Sequence, residues 1–353
     1  MISNTELSNK GNSEHCSLFF IRSLMLVAIT QLMACQPTVT QVARTFSGPV
    51  MGTDYRVTIV AGSDQDLSHF EEAIASELER IDQSMSTYRT DSEVSDINRA
   101  EKNQLIKISA SLRLVLTEAI EISKLSAGAF DITLAPIVDL WGFGPQASTQ
   151  GRPDRAQIEA LGESIGYDKL LLSEAGLRKA NSNTNIDLSA IAKGFAVDQI
   201  AALLSDNGQR NYLVEVGGEL RANGRNLEGQ TWRIGIEKPQ EIGGVQEIVS
   251  LTNQAIATSG DYRNYIMMDG KRYSHTIDAS TLEPVLHKLA LVSVISANAS
   301  TADALATAMM AMGEKLAVQF AQQNHIAAYF VIRTDDDANY EIKISERFAN
   351  NVQ

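Results

Sequence analysis

Apolar positions recur along this chain with two periods, and the switches between them mark out its elements. Around Met51-Gly52-Thr53, residues 46–60 alternate apolar and polar, with Tyr55, Val57 and Ile59 on one side, the signature of a half-buried strand. Phe70, Ile74, Leu78 and Ile81 then recur at spacings of three and four and predict an amphipathic helix over 66–85. A polar loop over 86–93 leads into a short helix over 94–98. Another amphipathic helix covers 109–126 and is closed by Gly128. No element is predicted over 129–140, and Trp141-Gly-Phe-Gly-Pro145 reads as a loop. A short helix over 156–166 and strands over 170–172, 177–180 and 185–188 follow. The last strand turns at Ser189, a good helix N-cap, into a helix running to about residue 204.

Downstream, strands are predicted over 212–216, ending at Gly217-Gly218, and over 220–223, 232–236, 249–251 and 255–259. Asp269-Gly270 between the runs 265–268 and 272–277 is a strong hairpin signal. A buried strand over 289–296 precedes a helix over 302–312 that stops at Gly313. A helix over 314–323 and strands over 327–332 and 340–344 complete the pattern. Hairpins mixed with helices predict an α+β fold, with mixed and antiparallel sheets flanked by helices, rather than a regular βαβ array. One domain is expected over 45–353.

The first residues read as an address. Residues 1–17 are polar and 18–34 largely apolar, with Arg22 and Ser23 as an interruption. The run 24–34 is too short for a stable membrane span and suits the apolar region of an export signal. It ends in Leu32-Met33-Ala34-Cys35, which resembles a bacterial lipoprotein cleavage site, although Met33 fits imperfectly. Residues 1–34 are therefore expected to be a signal peptide, Cys35 the lipidated mature N-terminus, and 35–44 a tether. Plain secretory cleavage is the alternative. Lipidation implies a lipid anchor at the periplasmic face of the bacterial cell membrane. Gln36 follows Cys35 in place of the Asp that favours inner-membrane retention, and the choice of membrane stays open.

Composition changes this picture only in what it excludes. The net charge is -13, which argues against nucleic acid and against charge-driven docking on anionic lipid. It leaves room for a nucleotide whose charge is met by Mg²⁺. The cysteines are Cys16 and Cys35, so no disulfide or thiolate metal site can form in the globular part. His69, His275, His287 and His325 are too scattered for a zinc site.

Three stretches carry candidate chemistry. In 185–198, Asp187 closes the predicted strand and Lys193 lies about one turn into the helix, beside an N-terminus whose free N–H groups favour anions. Gly194, Ala190 and Ala192 would let a bulky ligand approach. In 300–307, Asp303 and Thr307 are four apart and share one helix face, a carboxylate and a hydroxyl of the kind Mg²⁺ accepts. Asp303 could instead complete a capping box with Ser300. In the third stretch, Tyr273-Ser-His275-Thr-Ile-Asp278 places His275 at a sheet edge.

These stretches, with Met51-Gly-Thr53, Ser86-Thr-Tyr88, Asp91-Ser-Glu93, Gly128-Ala-Phe-Asp131, Val216-Gly-Gly-Glu219 and Thr258-Ser-Gly260, occur in one order along the chain. Together they resemble the ApbE family of FAD:protein FMN transferases. The resemblance implies an enzyme that binds FAD with Mg²⁺ at its pyrophosphate. It implies that Met51, Tyr88, Ala129, Phe130, Asp131, Asp187, Lys193 and Ile277 line or hold FAD. The Ala190 carbonyl, Asp303 and Thr307 would bind Mg²⁺. A Thr or Ser hydroxyl of an acceptor protein would attack the FMN-side phosphorus, releasing AMP, with Lys193 stabilising charge and His275 or Asp303 as proton acceptor. The implied acceptor belongs to a redox-driven ion pump, namely sodium-pumping NADH:quinone oxidoreductase or a related complex. Hydrolysis of FAD to FMN and AMP, or flavin binding without catalysis, are the alternatives.

Overall fold

The computed structural model describes residues 40–145, 151–239, 244–262, 264–335 and 339–352. The signal segment and Cys35 lie outside them. One large compact unit comprises Val42–Ala61 and Gln65–Gln353. A second includes the described residues Thr40, Gln41 and Gly62–Asp64, where the Ser63 N–H donates to the Thr40 carbonyl (2.8 Å). All candidate site residues named above belong to the large unit.

In chain order the strands are β1 (Gln41–Val50), β2 (Thr53–Gly62), β3 (Leu170–Ser173), β4 (Gly176–Lys179), β5 (Tyr212–Val216), β6 (Glu219–Asn223), β7 (Trp232–Glu237), β8 (Val245–Leu251) and β9 (Gln254–Gly260). They continue as β10 (Tyr265–Met268), β11 (Lys271–Ser274), β12 (Ile277–Asp278), β13 (Glu283–Pro284), β14 (Leu289–Ser296), β15 (Ala327–Arg333) and β16 (Tyr340–Ile344). The helices are α1 (His69–Met85), α2 (Glu93–Arg99), α3 (Ala110–Leu125), α4 (Ala135–Leu140), α5 (Arg155–Gly162), α6 (Ala192–Asp206), α7 (Ala299–Gln323) and α8 (Glu346–Ala349). The fold is α+β, as the pattern predicts.

The main sheet has the order β1-β2-β5-β6-β9-β14-β15-β16, and the pairings from β2 to β16 are antiparallel. Side chains alternate between its two faces, and both faces are covered. On one face Ala257, Val292, Val294, Ala328 and Phe330 join residues of α1, α3, α6 and α7 in the largest core cluster. On the other, Ile256, Leu291, Ile295, Tyr329 and Val331 pack with the β7–β8 hairpin and Phe348 of α8. Double coverage explains why β14 reads as a nearly continuous apolar run. A third cluster, with Ile137, Trp141, Ile158, Tyr273 and Ile277, joins α4 and α5 to the β10–β13 region.

The α6–α7 crossing fixes the centre of the molecule. A Cβ on Gly194 of α6 would lie 2.3 Å from the Ala299 carbonyl oxygen, so only glycine permits this approach. Each helix then caps the other. Asp198 of α6 accepts from the Ala299 and Ser300 N–H groups at the start of α7, both at 3.0 Å. Asp303 of α7 accepts from the Gly194 N–H at the start of α6 (3.2 Å). Two buried helix N-termini, each with positive partial charge, are neutralised reciprocally. Farther along α7, Gly313 breaks the helical geometry at φ 75°, where the expected stop falls, and the His287 ring would lie 2.8 Å from any Cβ there.

Several expectations are corrected. Residues 185–188 are not a strand: Asn185 makes one isolated bridge to Leu134, and the Asp187 N–H donates to the Ile132 carbonyl. Ser189 is not the N-cap of α6, because its N–H is turned back onto Asp187 Oδ1 (2.8 Å); Ile191 takes that place with no side-chain bond. Asp303 forms no capping box with Ser300, since α7 begins after Asn298 and Asp303 reaches across to α6. Residues 41–44, read as tether, belong to β1. The helix α4 was missed, its first turn carrying Pro136, a residue tolerated there because that N–H needs no helical partner.

Gly194→Ala should cost roughly 1–3 kcal/mol, because the added methyl must push two helices apart. Denaturant unfolding measures this, and a variant as stable as the parent would contradict the close crossing.

Candidate active site

The crossing brings three charged groups together, two buried carboxylates and a partly exposed ammonium. Lys193, the second residue of α6, has Nζ 3.0 Å from Glu219 Oε1 and 3.9 Å from Asp303 Oδ2. It also donates to the Ser189 carbonyl (3.2 Å). Its stem runs under the β5–β6 turn, where a Cβ on Gly217 would lie 3.1 Å from Lys193 Cδ and 2.9 Å from Thr53 Cγ2. Gly217 and Gly218 both have positive φ, 61° and 104°, and Gly218 faces open space. The glycine pair therefore gives a tight turn with room beside the ammonium.

Asp303 and Glu219 are 3 % and 4 % exposed. Two carboxylates share one ammonium, which leaves an excess negative charge in a poorly solvated place. Burial works against the Lys193 ammonium, but Asp303 and Glu219 outweigh it and hold its pKa above the usual lysine value. Burial raises the Asp303 pKa and pushes Glu219 up to about 7, with Lys193 opposing both shifts. Glu219 Oε2 is buried without a hydrogen-bond partner among the described residues.

These features fit a hard divalent cation. Excess negative charge and an orphaned carboxylate oxygen lie beside Asp303, and Thr307 follows one turn later on α7. Thr307 Oγ1 is 3.1 Å from Ser259 Oγ of β9. Among the described residues no hydrogen bond runs to the Ala190 carbonyl, which leaves it open to a ligand. No group of three or more His, Cys, Asp or Glu suited to a metal occurs among the described residues, so a cation here would rest on mixed oxygen donors.

His275 follows β11. Its Nδ1 lies 3.0 Å from the Asn264 carbonyl oxygen, which can only accept, so Nδ1 carries the proton and Nε2 keeps its lone pair. Burial, with a smaller contribution from the Lys193 charge, holds its pKa below the ordinary histidine value. Phe143 meets the ring edge-on at 6.4 Å.

The remaining predicted residues divide. Asp187 adds to the field at Lys193 and lines a cavity of about 200 Å³ with Thr87, Arg89, Asn98, Arg99 and Asn185. Tyr88 lies between two of these residues and is 73 % exposed, open to stack on a ligand. Met51 occupies the β1–β2 turn at φ 48°, an uncommon conformation for a long side chain, with Gly52 at 73°. Ala129 is half-buried. The Phe130 and Ile277 side chains are buried in separate apolar clusters. The Asp131 carboxylate is also committed, accepting from the Thr133 N–H and hydroxyl and the Tyr167 N–H. It braces the loop, and burial raises its pKa despite these bonds.

The residue that sequence reasoning passed over is Glu219. Its signal was a carboxylate directly after a glycine pair at a strand start.

Residues 51–330 match the ApbE family. The chain is 41% identical over 330 residues to the FAD:protein FMN transferase of Haemophilus influenzae, covering 90% of this chain and 94% of that one. It is 40% identical over 313 residues to that of Vibrio cholerae, covering 88% and 93%. Among solved structures, the flavin transferase ApbE from Vibrio cholerae superposes with a TM-score of 0.82 at 38% identity, over 88% of this chain and all of that one. The apo flavinyl transferase ApbE of Pseudomonas stutzeri gives 0.83 at 36% identity, over 90% and 99%. The matched span runs from the Met51 turn through Lys193, Glu219, His275, Asp303 and Thr307, and the chain belongs to the ApbE family.

Proposed function

We propose that this protein moves the FMN half of FAD onto a Ser or Thr hydroxyl of an acceptor protein, releasing AMP. The observation that carries this reading is the Lys193 ammonium, held between Glu219 and Asp303 at the start of α6. It is an anion-receptive point beside oxygen donors suited to a divalent cation. The names of the relatives at 40–41% identity supply the substrate class.

In this scheme Asp303, Thr307 and the Ala190 carbonyl would hold Mg²⁺, which would neutralise charge on the pyrophosphate. Lys193 donates to a phosphate oxygen as charge builds there. His275 takes the proton of the attacking hydroxyl on Nε2 as the new O–P bond forms and the bond to AMP breaks. Asp303 serves poorly as the base, because its carboxylate is engaged with Gly194 and Lys193. Tyr88 and the cavity beside Asp187 are offered to the rest of the dinucleotide. The acceptor we favour is a subunit of a redox-driven ion pump, sodium-pumping NADH:quinone oxidoreductase or a relative. Cys35 would tether the enzyme by a lipid at the periplasmic face. Among the described residues no helix is long and apolar enough to cross a membrane.

Incubation with FAD, Mg²⁺ and an acceptor subunit should add the mass of one FMN to the acceptor. EDTA should abolish the gain, and Asp303→Ala should lower the rate by about 100-fold or more. Free FMN and AMP beside an unmodified acceptor would mean hydrolysis instead.

Because His275 must be neutral to act and its pKa is lowered, the part of the acid-side loss of kcat that belongs to His275 should have its midpoint below about 6.5. Full activity in His275→Ala would remove His275 as the base, and a limb near pH 7 that disappears in Glu219→Gln would belong to Glu219 instead. Separately, Cys35→Ser should shift the protein from the membrane to the soluble fraction; unchanged fractionation would reject the lipid anchor.

A further inference from the structure

Glu219 is given no step in the scheme above, yet it is the closest charged partner of Lys193. It opens β6 directly after the Gly217-Gly218 turn and pairs with Val216 across it. Its backbone is thus fixed by the main sheet. Oε1 lies 3.0 Å from Lys193 Nζ, while Oε2 is buried with no hydrogen-bond partner among the described residues. A buried carboxylate with one oxygen unsatisfied is a poor device for stability alone.

The geometry suits the aiming of an ammonium. Lysine has three donors on a flexible four-carbon stem. The stem is confined against Gly217, and the Ser189 carbonyl and Glu219 Oε1 take two of the donors. Asp303, at 3.9 Å, is beyond hydrogen-bond distance, and its Oδ2 already accepts from Gly194. The third donor is left to a ligand.

Building on the transfer reading, we propose that Glu219 is a positioning residue, fixing the Lys193 ammonium so that its remaining proton meets a phosphate oxygen of the bound dinucleotide. Glu219 acts through Lys193 and touches no substrate atom. A neutral glutamine keeps the shape but holds the ammonium weakly. An aspartate keeps the charge on a shorter arm.

The test is a double-mutant cycle with Glu219→Gln, Glu219→Asp, Lys193→Met and Glu219→Gln with Lys193→Met. FMN transfer gives kcat and KM for FAD, flavin fluorescence gives FAD affinity, and thermal melting reports folding. Glu219→Gln should lower kcat roughly 10- to 100-fold while KM moves less than about threefold. Glu219→Asp should recover part of the loss. The double variant should be no slower than Lys193→Met alone. If Glu219→Gln does not fold, Glu219→Asp paired with Lys193→Met carries the same comparison. Wild-type kcat in the glutamine variant, or losses that multiply in the double variant, would overturn the positioning role alone. A wild type that binds FAD but modifies no acceptor would overturn the transfer reading and this role with it.

Discussion

Everything at the centre of this molecule depends on the absence of a side chain at Gly194. Without a Cβ, α6 can rest on the first carbonyl of α7, and the two helix starts come close enough to exchange caps. Burying two helix N-termini together would ordinarily strand several N–H groups and set two positive ends against each other. Asp198 and Asp303 remove both problems at once. Arg221 of β6 binds Asp198 at 2.5 Å and ties this crossing to the main sheet. Asp303 is therefore part of the architecture before it is part of any chemistry, which makes its position unusually well defined.

The same crossing creates a charge imbalance that the fold does not resolve by itself. Asp303 and Glu219 are both buried against a single ammonium, and one carboxylate oxygen has no hydrogen-bond partner among the described residues. Folded proteins tolerate few such groups, and those they keep are concentrated where a ligand will complete them. A divalent cation and a pyrophosphate would supply what is missing: positive charge for the carboxylates and acceptors for Lys193. The exposed Gly218 and the half-open β5–β6 turn leave the approach clear.

Much of this was legible in the sequence, and the failures are instructive. Period-two and period-3.6 patterns located β2, α1 and α3, because each presents an apolar face to one large core, and a continuous apolar run located β14, which is buried on both faces. The kink at Gly313 and the hairpin at Asp269-Gly270 followed from residues that alone suit those backbones. Residues 185–191 misled. Ile186, Leu188 and Ile191 are all buried, so the stretch carries strand-like apolarity, yet its N–H groups go to Ile132, Asn98 and Asp187 rather than to a ladder. Glu219 was visible as the end of the Val216-Gly-Gly-Glu219 motif but carried no role there, because its partner, Lys193, is distant in sequence. Long-range pairing of charges is the property that a one-dimensional pattern carries least well.

The two halves of the candidate chemistry stand on different supports. Lys193, Asp303, Glu219 and Thr307 belong to elements of the main sheet and its covering helices, where any displacement would disturb the largest core. His275 instead follows a two-stranded hairpin, an element that is marginal without outside packing. The outside packing is visible. Tyr273 packs on Trp141, whose Nε1 donates to the Leu282 carbonyl (3.0 Å). Arg272 stacks over Tyr265 and lies 3.7 Å from Asp261, which Arg333 of β15 grips with both nitrogens. The hairpin is thereby tied to the main sheet through a charged joint rather than through shared core. In the proposed transfer, Lys193 would meet a phosphate from within the core and His275 would take a proton from the tied hairpin, which would suit a compact dinucleotide and a protein as the two substrates. The first demands a fixed cradle, and the second must bring a backbone of its own up to the phosphorus.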